Sequence, residues 1–170
     1  MAKSNIVLIG MPGVGKSTVG VLLAKRCEKH FVDTDLFIQA GEGKSLRRLI
    51  EQNGMVRFCE IECRYAQRID VTDAVIATGG SVVYYDCAMQ SLQSGGTIVY
   101  LQLPLAELEK RLGDLNQRGV VLEPGQTLAQ LYEKRTPLYE KWADITVTLS
   151  GRNQDESVEL ILKKLNVQCS

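Results

Sequence analysis

The sequence predicts an α/β protein of three layers, in which a mostly parallel sheet lies between helices. Short apolar runs with the composition of buried strands alternate with segments of helical periodicity. Parallel strands require such crossovers, and the helices then cover both faces of the sheet. With 170 residues and 45% hydrophobic side chains, the chain can build one sizeable core. We therefore expect a single domain over residues 1–170.

A glycine-rich loop follows the first predicted strand, residues 5–9, and precedes a helix predicted over residues 18–30. The loop reads GMPGVGKS over residues 10–17 and fits the phosphate-binding pattern G-x-x-x-x-G-K-[ST]. Its backbone amides would meet phosphate oxygens at a helix N-terminus. Lys16 would reach the β- and γ-phosphates of a purine nucleoside triphosphate, and the Ser17 hydroxyl would enter the Mg²⁺ shell. The predicted nucleotide-binding residues of this P loop and the helix after it are Gly13, Val14, Gly15, Lys16, Ser17 and Thr18.

The later elements are predicted from apolar runs, caps and breakers. The further strands are 31–33, 74–77, 97–103 and 145–149; the further helices are 34–40, 45–53, 55–69, 86–94, one from residue 104, one from 127 to before 144, and 158–165. Gly41 and Gly43 are expected to break the second helix, and Ser45 to cap the third. Pro137 is expected to break the helix that begins at Thr127. Residues 113–126 have little apolar periodicity and predict a long loop or lid.

Two acids follow the second predicted strand, which ends at Asp33. The strand at 74–77 ends in glycines and offers no acid, so Asp33 is the candidate for the Mg²⁺ side, through the water shell of the metal. Asp35 is the candidate that orients or deprotonates an acceptor hydroxyl. The alternative is that both acids only cap the helix that follows.

Composition argues against several classes of protein. Lys+Arg and Asp+Glu both number 20, so no basic excess favours nucleic acid, and Trp142 is the only tryptophan. The cysteines are odd in number and form no C-x-x-C pair, which predicts ordinary reduced thiols: Cys27, Cys59, Cys63, Cys87 and Cys169. No apolar run approaches the roughly 18 residues of a membrane span, and the N-terminus lacks a signal-peptide layout. We therefore expect a cytoplasmic enzyme with neither a membrane nor a nucleic-acid partner.

An ordered set of motifs resembles the shikimate kinase family over nearly the whole chain. These motifs are the P loop, Phe31-x-Asp33-x-Asp35, Phe58-x-x-x-Glu62, Ala77-Thr78-Gly79-Gly80, Arg135-Thr136-Pro137-Leu138-Tyr139 and Ala143-Asp144. The resemblance implies a nucleoside-monophosphate-kinase-like fold with a five-stranded parallel sheet of order 2-3-1-4-5. It also implies a lid at about 113–126 and an acceptor-binding helical region at about 36–69. The implied activity is ATP-dependent phosphorylation of a hydroxyl on a small carboxylated metabolite, by a monomer.

The resemblance also implies roles for single residues. Lys16, Asp35 and Arg118 would act on the reacting groups, with Arg118 in the lid against the transferring phosphate. Arg111 would lie against the adenine, and Arg135 would grip the carboxylate of the acceptor. Gly79 and Gly80 would present backbone amides to the acceptor; Cys59, Glu62 and Ser81 complete the predicted acceptor site.

The sequence departs from the family pattern mainly on the acceptor side. Cys59 stands where the family has a carboxylate-clamping arginine, and Ser81 replaces the third glycine of a Gly-Gly-Gly turn. Arg57 lies about 200° around a helix from Cys59 and cannot simply substitute. Loss of one partner of a buried charged pair costs about 2–5 kcal/mol, so shikimate binding would weaken. Glu62 without its arginine would suit an ammonium group, which makes homoserine an alternative acceptor.

Further alternatives stay open. The lid reads Arg118-Gly119-Val120-Val121 rather than the usual Arg-Pro-Leu-Leu, and a proline expected near residue 155 is absent. Glu60 and Glu62 could both lie on a solvated helix face. An eroded acceptor site would fit a nucleotide-binding regulator without catalysis. A nucleotide kinase of the same fold would need extra cations, which Arg47, Arg48 and Arg57 could supply.

Overall fold

The computed structural model of the chain describes residues 3–113 and 125–166. Strands and helices alternate along the described residues, as predicted. The strands are β1 Asn5–Ile9, β2 His30–Asp33, β3 Ala74–Ala77, β4 Gly96–Gln102 and β5 Ile145–Thr148; the helices are α1 Lys16–Arg26, α2 Thr34–Glu42, α3 Leu46–Gln67, α4 Asp86–Gly95, α5 Leu105–Leu112, α6 Leu128–Trp142 and α7 Gln154–Leu165. A short 3₁₀ helix at Val82–Tyr84, which the sequence did not predict, precedes α4.

The five strands form one parallel sheet of order β2-β3-β1-β4-β5, which confirms the predicted order. The register pairs Asp33 with Ala77, Leu8 with Ala77 and Ile9 with Tyr100. The carboxyl ends of the three strands β2, β3 and β1 therefore meet at one edge of the sheet. In open parallel sheets this edge is where ligands bind, so the topology brings the P loop, Asp33 and the glycines after β3 together.

Two helices extend differently from the prediction. α1 begins at Lys16, inside the glycine-rich motif, and ends at Arg26, so that His30 already belongs to β2. α2 passes through Gly41 and ends only at Gly43, whose φ of 63° is left-handed. Gly41 does not break the helix; instead it admits the ring of Tyr65 on α3, which would collide with any Cβ at that position. The glycine serves packing between helices rather than a turn.

The predicted division of α3 is confirmed. The Ser45 hydroxyl caps its N-terminus by accepting a hydrogen bond from the Arg48 amide at 3.3 Å. At Gly54 the backbone leaves the helical region, with φ 73° and ψ 170°, and the helix kinks. The predicted helices 45–53 and 55–69 are thus the two arms of one kinked helix.

The prediction that Pro137 breaks a helix is wrong, because α6 continues from Leu128 to Trp142 with the proline inside it. A proline within a helix costs about 3 kcal/mol or more. Beyond it, Tyr139 is fully buried and Trp142 nearly so. Tyr139 stacks on Tyr100 of β4 with 5.1 Å between ring centroids. Burial of two large aromatic side chains offsets the lost hydrogen bond, so the packing of the last turn outweighs the local preference.

The described residues form two apolar clusters. The main core lies on both faces of the sheet, and β1 and β3 are buried along their whole length. A smaller core joins α2 to α3 and consists of Ile38, Leu49, Phe58, Ile61 and Tyr65. It lies within the helical region predicted at 36–69. None of the described helices has the length and apolarity needed to cross a membrane.

Candidate active site

A cavity of about 820 Å³ opens at the carboxyl edge of the sheet. One side, here called the donor half, is formed by the P loop together with Asp33, Arg111 and Arg152. The other side, the acceptor half, is formed by Asp35, Glu62, residues 79–81 and Arg135. All of these residues except Asp33 line the cavity directly or belong to segments that do. One continuous space therefore joins a phosphate-binding loop to a second set of charged side chains.

The P loop holds its lysine at the base of the donor half. Gly13 has φ 80° and lies so close to Leu112 that a Cβ would collide with that side chain. Lys16 is 9% exposed, and its Nζ donates to the carbonyl oxygens of Gly10 at 2.8 Å and Met11 at 3.0 Å. Burial lowers the pKa of Lys16 to about 8, and the nearby Asp35 carboxylate acts in the opposite direction. The site thus places a buried cation where phosphate oxygens would meet the loop.

Asp33 caps α2, which is one of the alternatives that the sequence left open, and it also contacts Ser17. Its Oδ1 caps α2 by accepting from the amides of Asp35 at 2.9 Å and Leu36 at 3.3 Å. Its Oδ2 accepts from the Ser17 hydroxyl at 2.6 Å. The cap fixes the carboxylate, and the second oxygen reaches the first turn of α1. Capping and a place beside Ser17 are therefore compatible.

The Ser17 hydroxyl and the Asp33 carboxylate fit the ligand preference of Mg²⁺. This ion takes oxygen ligands and is held by one or two protein groups plus phosphates and water. Among residues 3–113 and 125–166, no group of three or more His, Cys, Asp or Glu side chains could hold a metal by itself. A hydroxyl and a carboxylate at the mouth of the P loop suit an ion that arrives with the nucleotide.

Arginines flank the nucleotide side of the cavity. Arg111, near the end of α5, lines it and donates from Nη1 to the carbonyl of Val14 at 3.1 Å, so the predicted residue does lie at the P loop. Arg152, which was not predicted, lines the same wall and donates to the carbonyls of Thr148 and Ser150. Its position just after β5, at the carboxyl edge of the sheet, was the available signal. Arg118 and most of the predicted lid lie outside the described residues.

Two carboxyl groups share the acceptor half. Glu62 is 5% exposed and accepts a hydrogen bond from the Ser81 hydroxyl. A Cβ on Gly79 would collide with the Glu62 carboxylate and would lie 3.1 Å from Oδ1 of Asp35, so glycine at this position lets both acids approach the turn. Burial raises the pKa of Glu62 to about 7; Ser81 opposes the shift, and the Asp35 charge adds to it. Burial and then Asp33 raise the pKa of Asp35 as well.

Arg135 supplies a buried cation opposite these acids. It is 4% exposed and projects from α6. Its Nε donates to the Tyr84 hydroxyl at 3.1 Å, and its guanidinium lies 5.2 Å from the centre of the Tyr84 ring. The Tyr139 hydroxyl donates to the carbonyl of Gly80 at 2.7 Å, which ties α6 to the glycine turn. Tyr84 was not predicted, because no sequence pattern links it to a residue so distant along the chain.

Several predicted acceptor residues are placed differently from expectation. The Gly79 amide does not face an acceptor but donates to the Thr34 hydroxyl at 2.9 Å. Cys59 is buried beside Ser81 and Tyr85 and is not among the residues that line the cavity, because Phe58 and Glu62 form that wall of α3. Glu62 faces the cavity, whereas Glu60 is exposed.

Arg57 does not replace the arginine missing at position 59. It points to solvent and pairs with Glu60 at 3.6 Å, as the angular argument predicted. Within the described residues, the cation of the acceptor half comes from Arg135, with Lys16 at the boundary to the donor half.

Comparison with known proteins gives a consistent result. A family model described as shikimate kinase matches residues 12–166. A shikimate kinase of Rhodococcus erythropolis is 34% identical over 166 residues, covering 96% of this chain and 98% of that protein. A shikimate kinase of Thermodesulfovibrio yellowstonii is 37% identical over 163 residues, covering 94% of each chain. The solved structure of shikimate kinase from Acinetobacter baumannii in complex with shikimate is 30% identical, with a TM-score of 0.85 over 96% of this chain and 93% of that one.

Proposed function

The chain belongs to the shikimate kinase family, and we propose that it transfers the γ-phosphoryl group of ATP to a hydroxyl of shikimate. Its family makes it a phosphotransferase that acts on a hydroxyl group and uses ATP as the donor. One observation carries the choice of acceptor. A single cavity joins Lys16 of the P loop to a half-buried carboxylate, Asp35, and to a buried guanidinium, Arg135. These groups suit a donor phosphate, an acceptor hydroxyl and an acceptor carboxylate respectively.

In the donor half, the P-loop amides and Lys16 hold the phosphates and neutralise their charge. Ser17 and Asp33 are the residues that would hold Mg²⁺, since their oxygens lie together at the loop. When bound, the ion supplies further positive charge to the phosphate oxygens. Arg111, anchored on the carbonyl of Val14, would cover the base. We retain Arg118 as the residue that meets the transferring phosphate, with the lid at 113–126 excluding water from the reaction.

In the acceptor half, Asp35 positions the nucleophilic hydroxyl for in-line attack. Burial and the negative charge of Asp33 raise the pKa of Asp35 toward neutral pH, which makes its carboxylate a stronger base. Arg135, held by Tyr84, would bind the acceptor carboxylate with charge-assisted hydrogen bonds. The amide of Gly80, which lies close to the Arg135 guanidinium, would contact the acceptor as well. Transfer is direct, with positioning and charge stabilisation as the main contributions.

An acceptor panel tests this proposal. Purified protein with ATP and Mg²⁺ is assayed for ADP release with shikimate, homoserine, gluconate and nucleoside monophosphates, each over a range of concentrations. We expect shikimate to give the highest kcat/KM. No acceptor-dependent release with any compound would instead fit a nucleotide-binding regulator, and preference for a monophosphate would fit a nucleotide kinase.

A second acceptor class is favoured by one specific observation. Glu62 is buried in the acceptor half, and its hydrogen-bond partner is the Ser81 hydroxyl rather than a guanidinium. A buried carboxyl group near Asp35 suits an acceptor that carries an ammonium beside its carboxylate, such as homoserine. The same panel decides between the two: turnover of shikimate but not homoserine eliminates this candidate, and the opposite result eliminates shikimate.

We also propose that the protein acts as a monomer in the cytoplasm, without a membrane or nucleic-acid partner. Among the described cysteines, Cys59, Cys63 and Cys87 carry free thiols, which supports a reducing compartment. Size-exclusion chromatography with light scattering tests the oligomeric state.

A further inference from the structure

Two cysteines face each other across the contact between α3 and α4. The sulfur atoms of Cys63 and Cys87 lie 2.9 Å apart. Cys63 is buried, at 9% exposure, whereas Cys87 near the start of α4 is exposed. Neither residue lines the cavity, and phosphoryl transfer uses neither thiol. The pair is therefore a chemical feature that the kinase activity does not explain.

We propose that Cys63 and Cys87 form a reversible redox pair, which closes to a disulfide when the protein meets a peroxide. A disulfide has an S–S length of about 2.05 Å, so the two sulfurs need to approach by only about 0.9 Å. Cys63 belongs to the main core, and its sulfur accepts a hydrogen bond from the backbone of Ala88 on α4. These contacts fix the position of Cys63 relative to α4. The other thiol of α3, Cys59, contacts Ser81 and Tyr85 instead, which leaves Cys63 as the partner of Cys87.

The reaction balances with hydrogen peroxide as the oxidant. The Cys87 thiol releases its proton and its sulfur attacks one peroxide oxygen: an S–O bond forms, the O–O bond breaks, and the departing hydroxide takes up the released proton to become water. The Cys63 sulfur then attacks the Cys87 sulfenic acid: the S–S bond forms, the S–O bond breaks and a second water carries away the Cys63 proton. Two thiols are oxidised by two electrons and one peroxide is reduced to two waters.

The two thiols differ in exposure, and this difference sets the order of the steps. Burial raises the pKa of Cys63 to about 11, so it stays protonated and protected at neutral pH. Exposed Cys87 is the sulfur that a dissolved oxidant reaches first. Cys63 then lies within contact distance of any sulfenic acid formed on Cys87, and closure competes with further oxidation.

The disulfide would link two parts of the acceptor half. Cys63 directly follows Glu62 on α3, and Cys87 follows the segment that carries Ser81 and Tyr84. The P loop lies in a different part of the chain. The bond would therefore restrain the acceptor wall and leave the donor half untouched.

Peptide mapping of the full-length protein tests the proposal. Reduced protein at low concentration is treated with one equivalent of hydrogen peroxide, alkylated, and cleaved after both glutamate and arginine. Cleavage after Glu60 and Glu62 separates Cys59 from Cys63, and cleavage after Arg64 and Arg68 separates Cys63 from Cys87. We expect a linked pair of fragments that contain Cys63 and Cys87, lighter by two hydrogen atoms than the reduced fragments, and released by dithiothreitol. The Cys63→Ser and Cys87→Ser variants should lose this species, whereas the control Cys27→Ser should retain it.

Two outcomes would overturn the inference. One is a disulfide that joins either residue to a different cysteine or to a second molecule, seen as a covalent dimer on a non-reducing gel. The other is Cys87 oxidised to sulfinic acid while Cys63 is still fully alkylated. Circular dichroism of each variant establishes that the serine substitutions leave the fold intact, so that loss of the linked fragment reports on the bond.

Discussion

The phosphate-binding part of the donor half is one contiguous segment, the P loop, whereas the acceptor half takes its charged groups from separate elements. Residues 10–17 act mainly through backbone amides, with a single lysine at their end. The acceptor half combines Asp35 from α2, Glu62 from α3 and Arg135 from α6 around the glycine turn after β3. A local backbone conformation fixes the P loop, whereas the packing of distant helices fixes the acceptor half. Changes of acceptor therefore require coordinated changes in the second half only.

The two departures from the family pattern on the acceptor side illustrate this difference. Cys59 and Ser81 are distant in sequence but adjacent in the structure, where the Cys59 thiol contacts Ser81 and the Ser81 hydroxyl donates to Glu62. Cys59 has no positive charge to offer Glu62 where the family has an arginine. The serine at position 81 instead gives Glu62 a hydrogen-bond donor. What looks like two independent substitutions is one rearranged contact group.

Removal of the P-loop cation should have the largest effect. Lys16→Ala is expected to abolish measurable turnover, with a loss in kcat of at least about 10²–10³-fold, since loss of one preorganised donor to the transition state costs that much. The control is Lys25→Ala, which removes an exposed lysine from the last turn of the same helix. Steady-state ADP release measures both. Near-normal kcat for Lys16→Ala would contradict the donor half as described.

Neutralisation of Asp35 tests where the two halves meet. Asp35→Asn keeps the size of the side chain but removes its basicity, so kcat should fall by about 10²–10⁴-fold while the KM of ATP changes little. Glu60→Gln provides a matched control, because it neutralises an exposed acid that pairs with Arg57. An increase in acceptor KM with unchanged kcat would show that Asp35 only binds the acceptor.

Truncation of Arg135 should affect the acceptor half alone. Arg135→Ala removes one partner of a buried charged contact, which costs about 2–5 kcal/mol and should raise acceptor KM by tens- to thousands-fold. Tyr84→Phe removes only the hydroxyl that accepts from Nε of Arg135, so the free energy of acceptor binding should weaken by only about 1 kcal/mol. Titrations of the acceptor and of ATP with both variants measure how the effect divides between the two KM values. An equal rise in the KM of ATP would contradict the separation of the halves.

The smallest effect concerns stability and pH. Burial raises the pKa of Glu62 from 4.5 to about 7, so between these values the folded protein binds more protons than the unfolded chain. Stability should therefore fall as pH rises through this window, by at most about 1.4 kcal/mol per pH unit. The Glu62→Gln variant lacks this contribution. Urea unfolding at pH 5 and pH 8 should show wild type losing roughly 2–3 kcal/mol relative to Glu62→Gln; parallel curves would contradict a buried, protonated Glu62.

The sequence by itself determined the elements whose causes are local. The P loop, the Ser45 cap and the kink at Gly54 depend on backbone conformation and on hydrogen bonds to near neighbours, which adjacent residues specify. The family motifs supplied the strand order, and the sheet register then follows from burial of the apolar runs. Lys16, Asp33 and Asp35, all candidates from sequence, lie at one edge of the sheet because the parallel strands β1 and β2 end there.

Only the tertiary structure decided the contacts between distant segments. Gly41 continues a helix because Tyr65 packs on it, and Pro137 stays helical because the aromatic residues beyond it are buried. The partner of Arg135 is Tyr84, and the partner of Glu62 is Ser81. Burial and pairing of this kind are properties of the folded chain. Their free energies depend on which distant side chains come into contact, and a local sequence pattern does not specify those contacts.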